Sequence, residues 1–365
     1  MKRRLAMFFD GTWNRRSTET NVSRLYDLTA STQSFRKMLG RKLREEPSPS
    51  KHDVPQLKYY HEGVGVKWGE KIWGGAFGYG LSRNIKDGFL WLAEYYQPGD
   101  EIYIFGFSRG AYTARSLVGL IRKCGILMAP VEALAKEAYK IYREKKWDPD
   151  GREASAFKKT FSYTDVSVKF VGVWDTVGAL GIPAHGILFG KEYYNWHDTE
   201  LSRMVKNAYH AVALDEHRPD FAATMWSAAK KPGKGQHVEQ RWFCGSHADV
   251  GGGYGDGTLQ QIPLRWMQDK AAACGLEFTS QSHVTDEAYL GTMHDSFGSF
   301  FFGLYPKLPW VYPYYRPLGL GVREDFDESV WKRIDASMGR DERGKKYAPI
   351  ALKSVDRAPT KKRLV

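Results

Sequence analysis

A chain of 365 residues with a formal net charge of +12 is long enough to bury a large core, and no Ser/Gly-rich linker or fixed-period repeat divides it. Three cysteines, Cys124, Cys244 and Cys274, are too few and too scattered for a disulfide framework or a zinc site, so synthesis in a reducing compartment is expected. No apolar run reaches the roughly 18 residues of a membrane span, and the run after Met1-Lys2-Arg3-Arg4 is too short for a signal peptide, so cytoplasmic synthesis is expected.

Leu5 to Phe9 reads as a first strand, ended by the turn-rich Asp10-Gly11-Thr12-Trp13-Asn14. The polar run Lys42 to Asp53 reads as a surface loop, and Leu57 to His61 as a second strand followed by Gly63-Val64-Gly65. A glycine-rich stretch, Gly74 to Gly80, precedes a helix from about Leu81 to Tyr96 with Ile85, Phe89, Leu92 and Tyr96 on one face. Its spacing matches neither the dinucleotide fingerprint nor the P-loop, so no cofactor is expected there. The apolar Glu101-Ile102-Tyr103-Ile104-Phe105 then runs into Gly106-Phe107-Ser108-Arg109-Gly110, and Ala111 to Lys123 follows at helical spacing.

A helix is expected from Val131 to Lys145 and a strand from Val166 to Trp174, delivering Asp175-Thr176-Val177-Gly178. Two more strands, Ala208 to Leu214 and Val238 to Cys244, end in Asp215-Glu216 and Gly245-Ser246-His247-Ala248-Asp249, and Thr258 to Cys274 reads as a closing helix. Strands alternating with helices predict an α/β fold, a doubly wound and mostly parallel sheet with helices on both faces. Its functional edge should lie at the strand C-termini. Residues 1–290 are expected to form the catalytic domain. Residues 291–365 are expected to add a cap and a basic tail packed on the same domain.

Gly106-Phe107-Ser108-Arg109-Gly110 has the form of a nucleophile elbow, in which a serine at the tip of a tight strand-to-helix turn needs glycines two residues away on either side. The helix that follows places its positive end at the serine and favours an oxyanion. A serine hydroxyl needs a histidine base, and the imidazole needs a carboxylate to fix its tautomer. Ser108, Asp175 and His247 occur in the Ser, Asp, His order of α/β-hydrolases, each directly after a predicted strand. Asp215 and Asp249 are alternatives for the acid, although Asp249 sits only two residues from the histidine and can instead hold the turn. The oxyanion hole is expected from the backbone N–H of Arg109 and that of Gly11, with Thr12 as its neighbour. Cys244 lies inside a predicted strand and reads as a packed thiol. No metal-ligand spacing is present, so neither a metal nor a cofactor is expected, beyond a weak His247-x-Asp249 pair.

With these residues assembled, the chain resembles an α/β-hydrolase family that includes the phospholipase effectors of the bacterial type VI secretion system. The resemblance runs from Phe8-Phe9-Asp10-Gly11-Thr12-Trp13-Asn14 through Pro98 to Arg115, then Val173 to Gly178, Ala213 to Arg218 and His247 to Tyr254. It implies a serine esterase or lipase with the nucleophile at Ser108 and the base at His247, and for some members phospholipase A activity. Anionic phospholipid or another acyl ester is then the expected substrate, with an immunity or delivery protein as a further partner and export by a specialised secretion system. A soluble ester or thioester is the alternative substrate. A binding or toxin component without turnover is the alternative of another class.

The tail from Arg340 to Val365 holds nine Lys/Arg against three Asp/Glu, a basic patch suited to an anionic surface or to simple solvation. Nucleic acid is not expected, because the patch lacks interleaved stacking aromatics. Phe300 to Tyr315 is dense in aromatics and contains three prolines, which exclude a regular helix. It reads as a cap packed on the sheet, with a lid or an interfacial dock as the alternative.

Overall fold

The computed structural model describes residues 2–11, 14–38, 41–48, 54–63, 74–178, 200–228 and 233–353. In chain order the strands are β1 (Arg4–Phe9), β2 (Gln33–Met38), β3 (Arg41–Glu45), β4 (Gln56–His61), β5 (Glu101–Phe107), β6 (Ile126–Leu127), β7 (Ser162–Tyr163), β8 (Val168–Trp174), β9 (Val205–Ala213), β10 (His237–Phe243) and β11 (Glu324–Phe326). Nine of them form one sheet in the order β11-β10-β9-β8-β5-β1-β4-β2-β3, and every neighbouring pair is parallel except β2 with β3. The major helices are α1 (Asn21–Leu28), α2 (Gly74–Tyr95), α3 (Arg109–Cys124), α4 (Glu132–Arg143) and α5 (Arg152–Phe161), with a further helix at Gln261–Ala273.

Strand side chains alternate between the two faces, and the core divides accordingly. Leu5, Met7 and Phe9 of β1 join a cluster with Ile85 and Phe89 of α2 and Leu117 and Ile121 of α3. Ala6 and Phe8 point the other way, into a cluster with Leu25 and Tyr26 of α1 and Leu264 and Met267 of the 261–273 helix. Strands buried on both faces are what an almost entirely parallel sheet requires, and they explain the near-continuous apolar runs of β1, β5 and β8.

Strand order reverses at β1. The chain places β2, β3 and β4 to one side of it, then crosses to lay β5, β8, β9, β10 and β11 on the other. The crevice at such a reversal opens at the strand C-termini, here between Asp10-Gly11 after β1 and Ser108 after β5.

Two expectations change. The polar run read as a surface loop begins as β3, an edge strand paired antiparallel to β2, while residues 49–53 lie outside the described residues. Charged side chains suit an edge, where they block further pairing, and Glu45 is held there by Tyr26 Oη at 2.6 Å and the Arg36 guanidinium at 3.3 Å. The glycine-rich stretch is not a loop, because α2 already begins at Gly74. Residues 64 and 65, Thr12 and the tail beyond residue 353 lie outside the described residues.

Phe300 to Tyr315 folds as a short helix, Phe300–Gly303, and one 3-10 turn, Tyr305–Lys307. Only its inner side is buried: Phe297, Tyr305 and Val311 form a small cluster, whereas Phe302 is 102% exposed and Tyr312 73%. The strap therefore has one packed face and one open aromatic face. No helix among the described residues is long and apolar enough to cross a membrane.

Candidate active site

Ser108 sits at φ 57° and ψ −122°, between the end of β5 and the start of α3. A side chain rarely adopts this backbone region, and holding one there costs roughly 1–3 kcal/mol. The flanking glycines make the turn possible. A Cβ at Gly106 would lie 2.6 Å from the Ala111 nitrogen, and one at Gly110 would lie 2.1 Å from the Phe9 carbonyl oxygen and 2.5 Å from that of Asp10. No other residue fits either position. The Ser108 N–H continues the sheet by donating to the Trp174 carbonyl at 3.0 Å.

Register carries Asp175 beside Ser108. Phe107 pairs with Trp174 at the ends of β5 and β8, so Ser108 and Asp175 leave adjacent strands at the same level. Asp175 also has a positive φ, 39°, and its N–H donates to Ala211 at 2.7 Å. His247 opens a short helix, His247–Gly251, four residues beyond the end of β10.

The three side chains meet. His247 Nδ1 lies 2.5 Å from Asp175 Oδ2, and His247 Nε2 lies 2.8 Å from Ser108 Oγ. Asp175 is fully buried; burial opposes its ionisation, but the Arg316 guanidinium and His247 outweigh that and hold it well below the usual carboxylate range. An ionised carboxylate only accepts, so Nδ1 carries the proton and Nε2 presents its lone pair to the serine hydroxyl. Burial pushes the His247 imidazole below its usual range, with Asp175 opposing. A neutral resting base is the form that general-base chemistry needs.

The alternative acids are engaged elsewhere. Asp215 Oδ2 accepts from the Gly245 N–H and from Tyr347 Oη, each at 2.8 Å, and burial raises its pKa to about 6. Asp249 accepts from Ser246 N and Oγ at 2.9 Å and pairs with His294 Nδ1 at 2.6 Å. It closes the capping box of the helix that bears His247. His247 and Asp249 thus face different partners, and among the described residues no group of three or more His, Cys, Asp or Glu could hold a metal.

Arg109 is the first residue of α3, and its backbone N–H has no intrahelical acceptor. Gly11 abuts Ser108: a Cβ there would lie 3.3 Å from Ser108 Cβ. Its N–H, however, donates to Asp10 Oδ1 at 2.7 Å, so any oxyanion contact must share or replace that bond. Asp10 also accepts from Thr20 Oγ1 at 2.8 Å and Tyr60 Oη at 2.6 Å, and burial raises its pKa to about 6.

Three charged residues around the site escaped the sequence reading. Glu216 accepts the His247 backbone N–H at 3.1 Å and pairs with Arg218 at 2.8 Å. Both belong to the motif following Asp215, so position after a strand was a usable signal. Arg316 binds Asp175 through both terminal guanidinium nitrogens, at 2.5 and 2.9 Å. It is 141 positions away along the chain, and nothing local marks it.

The site is nearly closed, with Ser108 5% and His247 7% exposed. Aromatic rings wall it: Phe107 lies 4.6 Å and Phe221 5.1 Å from the His247 ring, and Phe300 lies 5.7 Å from Phe221. A cavity of about 780 Å³ lies beside α3 and reaches Thr176, but neither Ser108 nor His247 lines it.

Comparison with known proteins gives the family. A curated relative is an uncharacterised protein of Saccharomyces cerevisiae, YEL023C, 29% identical over 242 residues, covering 60% of this chain and 32% of that protein. Among solved structures, the Tle1 effector bound to the VgrG spike of the type 6 secretion system is 20% identical, with a TM-score of 0.41, over 70% of this chain and 52% of that one. An uncharacterised protein from Pseudomonas aeruginosa is 17% identical, with a TM-score of 0.39, over 76% of this chain and 46% of that one. The chain thus spans about a third of the yeast protein and about half of each solved chain. The family model for the type VI secretion system phospholipase effector Tle1-like catalytic domain matches residues 3–270, and this chain belongs to that family.

Proposed function

We propose that the protein is a serine hydrolase that cleaves acyl esters of phospholipids through an acyl-enzyme, with Ser108 as nucleophile, His247 as base and Asp175 as the orienting acid. The observation that carries this reading is the pair of contacts at 2.8 and 2.5 Å that link Ser108, His247 and Asp175 across an elbow with positive φ. His247 Nε2 takes the hydroxyl proton as Oγ attacks the carbonyl, and the imidazolium formed is held by Asp175. The oxyanion develops beside the N-terminus of α3, whose first residue is Arg109, and the positive end of the helix favours it. Collapse expels the alcohol, which takes its proton from His247, and water then releases the acid by the same steps in reverse roles.

Family membership supports phospholipid as the substrate class and supports export with a delivery or immunity protein as partner. The strap supports contact with a membrane surface. Phe302, Trp310 and Tyr312 are exposed on it, Lys307 lies among them, and no Asp or Glu occurs from Ser296 to Arg323. Trp, Tyr and a cation in a stretch of chain without acids suit an anionic lipid interface. A soluble short-chain ester is the second reading, favoured by the near burial of Ser108 and His247.

Wild type and Ser108→Ala are compared on mixed phospholipid vesicles, with products identified by mass spectrometry. Fatty acid and lysophospholipid from wild type alone is the expected result. Equal release by both variants refutes the nucleophile. Release from a soluble ester but not from vesicles moves the substrate to the second reading.

A further inference from the structure

Asp175 Oδ2 holds two partners, His247 Nδ1 at 2.5 Å and Arg316 Nη2 at 2.9 Å, while Oδ1 accepts Arg316 Nη1 at 2.5 Å and the Ala213 N–H at 2.9 Å. The remaining reach of the guanidinium is spent on the site's rim. Nη1 donates to the Ala213 carbonyl at 2.7 Å and Nη2 to the Phe221 carbonyl at 2.6 Å. Phe221 in turn packs its ring against His247. We infer that Arg316 is a positioning residue of the active site, which fixes the Asp175 carboxylate from behind and joins the C-terminal strap to the His247 pocket.

Arg316 lies outside residues 3–270, the span matched by the catalytic-domain family model, so that span holds Ser108, Asp175 and His247 but not the cation bound to the acid. Chain geometry makes the attachment rigid. The residue two before it, Tyr314, exchanges bonds with His217: Tyr314 N donates to the His217 carbonyl at 2.8 Å, and His217 Nδ1 lies 3.1 Å from the Tyr314 carbonyl oxygen. Arg316 itself is buried, so the guanidinium is not a surface charge that happens to reach inward.

A bidentate guanidinium does two things to a carboxylate. It restricts the carboxylate to one plane and one rotamer, which aims Oδ2 at Nδ1. It also offsets the negative charge that would otherwise hold a proton on the imidazole, because the cation shares an oxygen with His247. The charges facing His247 are Asp175 from the end of β8, Arg316 from the strap, and Glu216 and Arg218 from the loop after β9. Asp249, on the helix that begins at His247, is turned to His294. They form two mutually compensating pairs around a buried base.

Removing Arg316 therefore unbalances the set toward negative charge. The imidazolium becomes easier to form, and the acid limb of kcat/KM moves to higher pH by about 1 unit. The plateau kcat falls about 10- to 100-fold as the carboxylate loses its fixed plane. Arg316→Lys keeps the charge but not the fork, so it lowers kcat without moving the acid limb. A residue that served only packing would scale the whole profile through the folded fraction and leave the limb in place.

This inference rests on the serine-hydrolase reading, so the wild-type protein is first tested with a fluorophosphonate and with p-nitrophenyl butyrate. Failure to label Ser108, with neither the ester nor phospholipid vesicles cleaved, overturns that reading and this inference with it. With wild type labelled, pH profiles of kcat and KM are measured for Arg316→Gln and Arg316→Lys, with folding monitored by circular dichroism. A shifted limb in Arg316→Gln and an unshifted limb with reduced kcat in Arg316→Lys is the expected result. A wild-type limb and plateau in Arg316→Gln overturns the inference. If Arg316→Gln does not fold, Arg316→Lys decides: wild-type kcat overturns the inference, and reduced kcat at unchanged KM upholds it.

Discussion

Asp175→Asn separates the chemical role proposed for Asp175 from its structural one. Asparagine keeps the side-chain shape, but its amide cannot both accept from His247 Nδ1 and satisfy the two Arg316 nitrogens that now bind the carboxylate at 2.5 and 2.9 Å. Losing tautomer control of the base should lower kcat by about 10⁴. Arg316 is also left as a buried cation without its counter-charge, which costs about 3–5 kcal/mol. Over 365 residues, with an unfolding entropy near 2.1 cal/mol/K per residue, that cost lowers Tm by roughly 4–7 °C. Hydrolysis of a soluble chromogenic ester gives the first quantity and scanning calorimetry the second. In Asp175→Asn/Arg316→Met the stranded charge is gone, so most of the stability should return while activity stays lost. Activity within tenfold of wild type in Asp175→Asn, or no recovery of Tm in the double variant, would refute the reasoning.

Asp215→Asn should retain activity, since Asp215 contacts Gly245 and Tyr347 rather than His247; a loss as deep as that of Asp175→Asn would transfer the acid role to it. Burial raises Asp215 from 3.8 to about 6, so its contribution favours the folded state below the lower value and is lost as pH rises through the upper one. Asparagine should remove that dependence, worth up to about 3 kcal/mol, and flatten the Tm profile between pH 4 and about 6. Gly110→Ala should abolish activity and lower soluble yield, because its Cβ would lie 2.1 Å from the Phe9 carbonyl oxygen; a folded, active variant would show that the elbow tolerates a side chain. Replacing the exposed Phe302, Trp310 and Tyr312 together by serine should reduce vesicle hydrolysis at least tenfold and leave soluble-ester hydrolysis within twofold, as two parallel assays would show. Equal loss on both substrates would count against a lipid-docking strap.

Local pattern carried the reading wherever the chemistry is local. The strand into Gly106-Phe107-Ser108-Arg109-Gly110 and the helix after it were legible because the turn demands two glycines within five residues and the elements on either side have unmistakable periods. The strand ending before Asp175 was legible as an apolar run, because a parallel strand inside the sheet is buried on both faces, whereas β10 is largely polar and only its Trp242-Phe243 end is apolar and buried. The edge strands β3 and β11 and the strand β2 beside β3 were not: β2 and β3 are polar and β11 is only three residues long, and backbone pairing stabilises them more than side-chain pattern does.

The order Ser108, Asp175, His247 was thus a property of the sequence, as was the class of fold that would bring strand C-termini to one edge. Which carboxylate faces His247 was decided by register, since the Phe107–Trp174 pair sets Asp175 beside Ser108 while Asp215 turns toward Tyr347. The same holds for Gly11, whose N–H is drawn to Asp10 by a contact between adjacent residues that composition does not disclose. Arg316 is the extreme case. Its partner is 141 positions away, and only closure of the C-terminal strap over the sheet edge brings a guanidinium to the carboxylate. Short-range steric and periodic rules act within a turn or two of chain and so can be read from it, whereas the pairing of buried charges depends on which distant segments the packed core brings together.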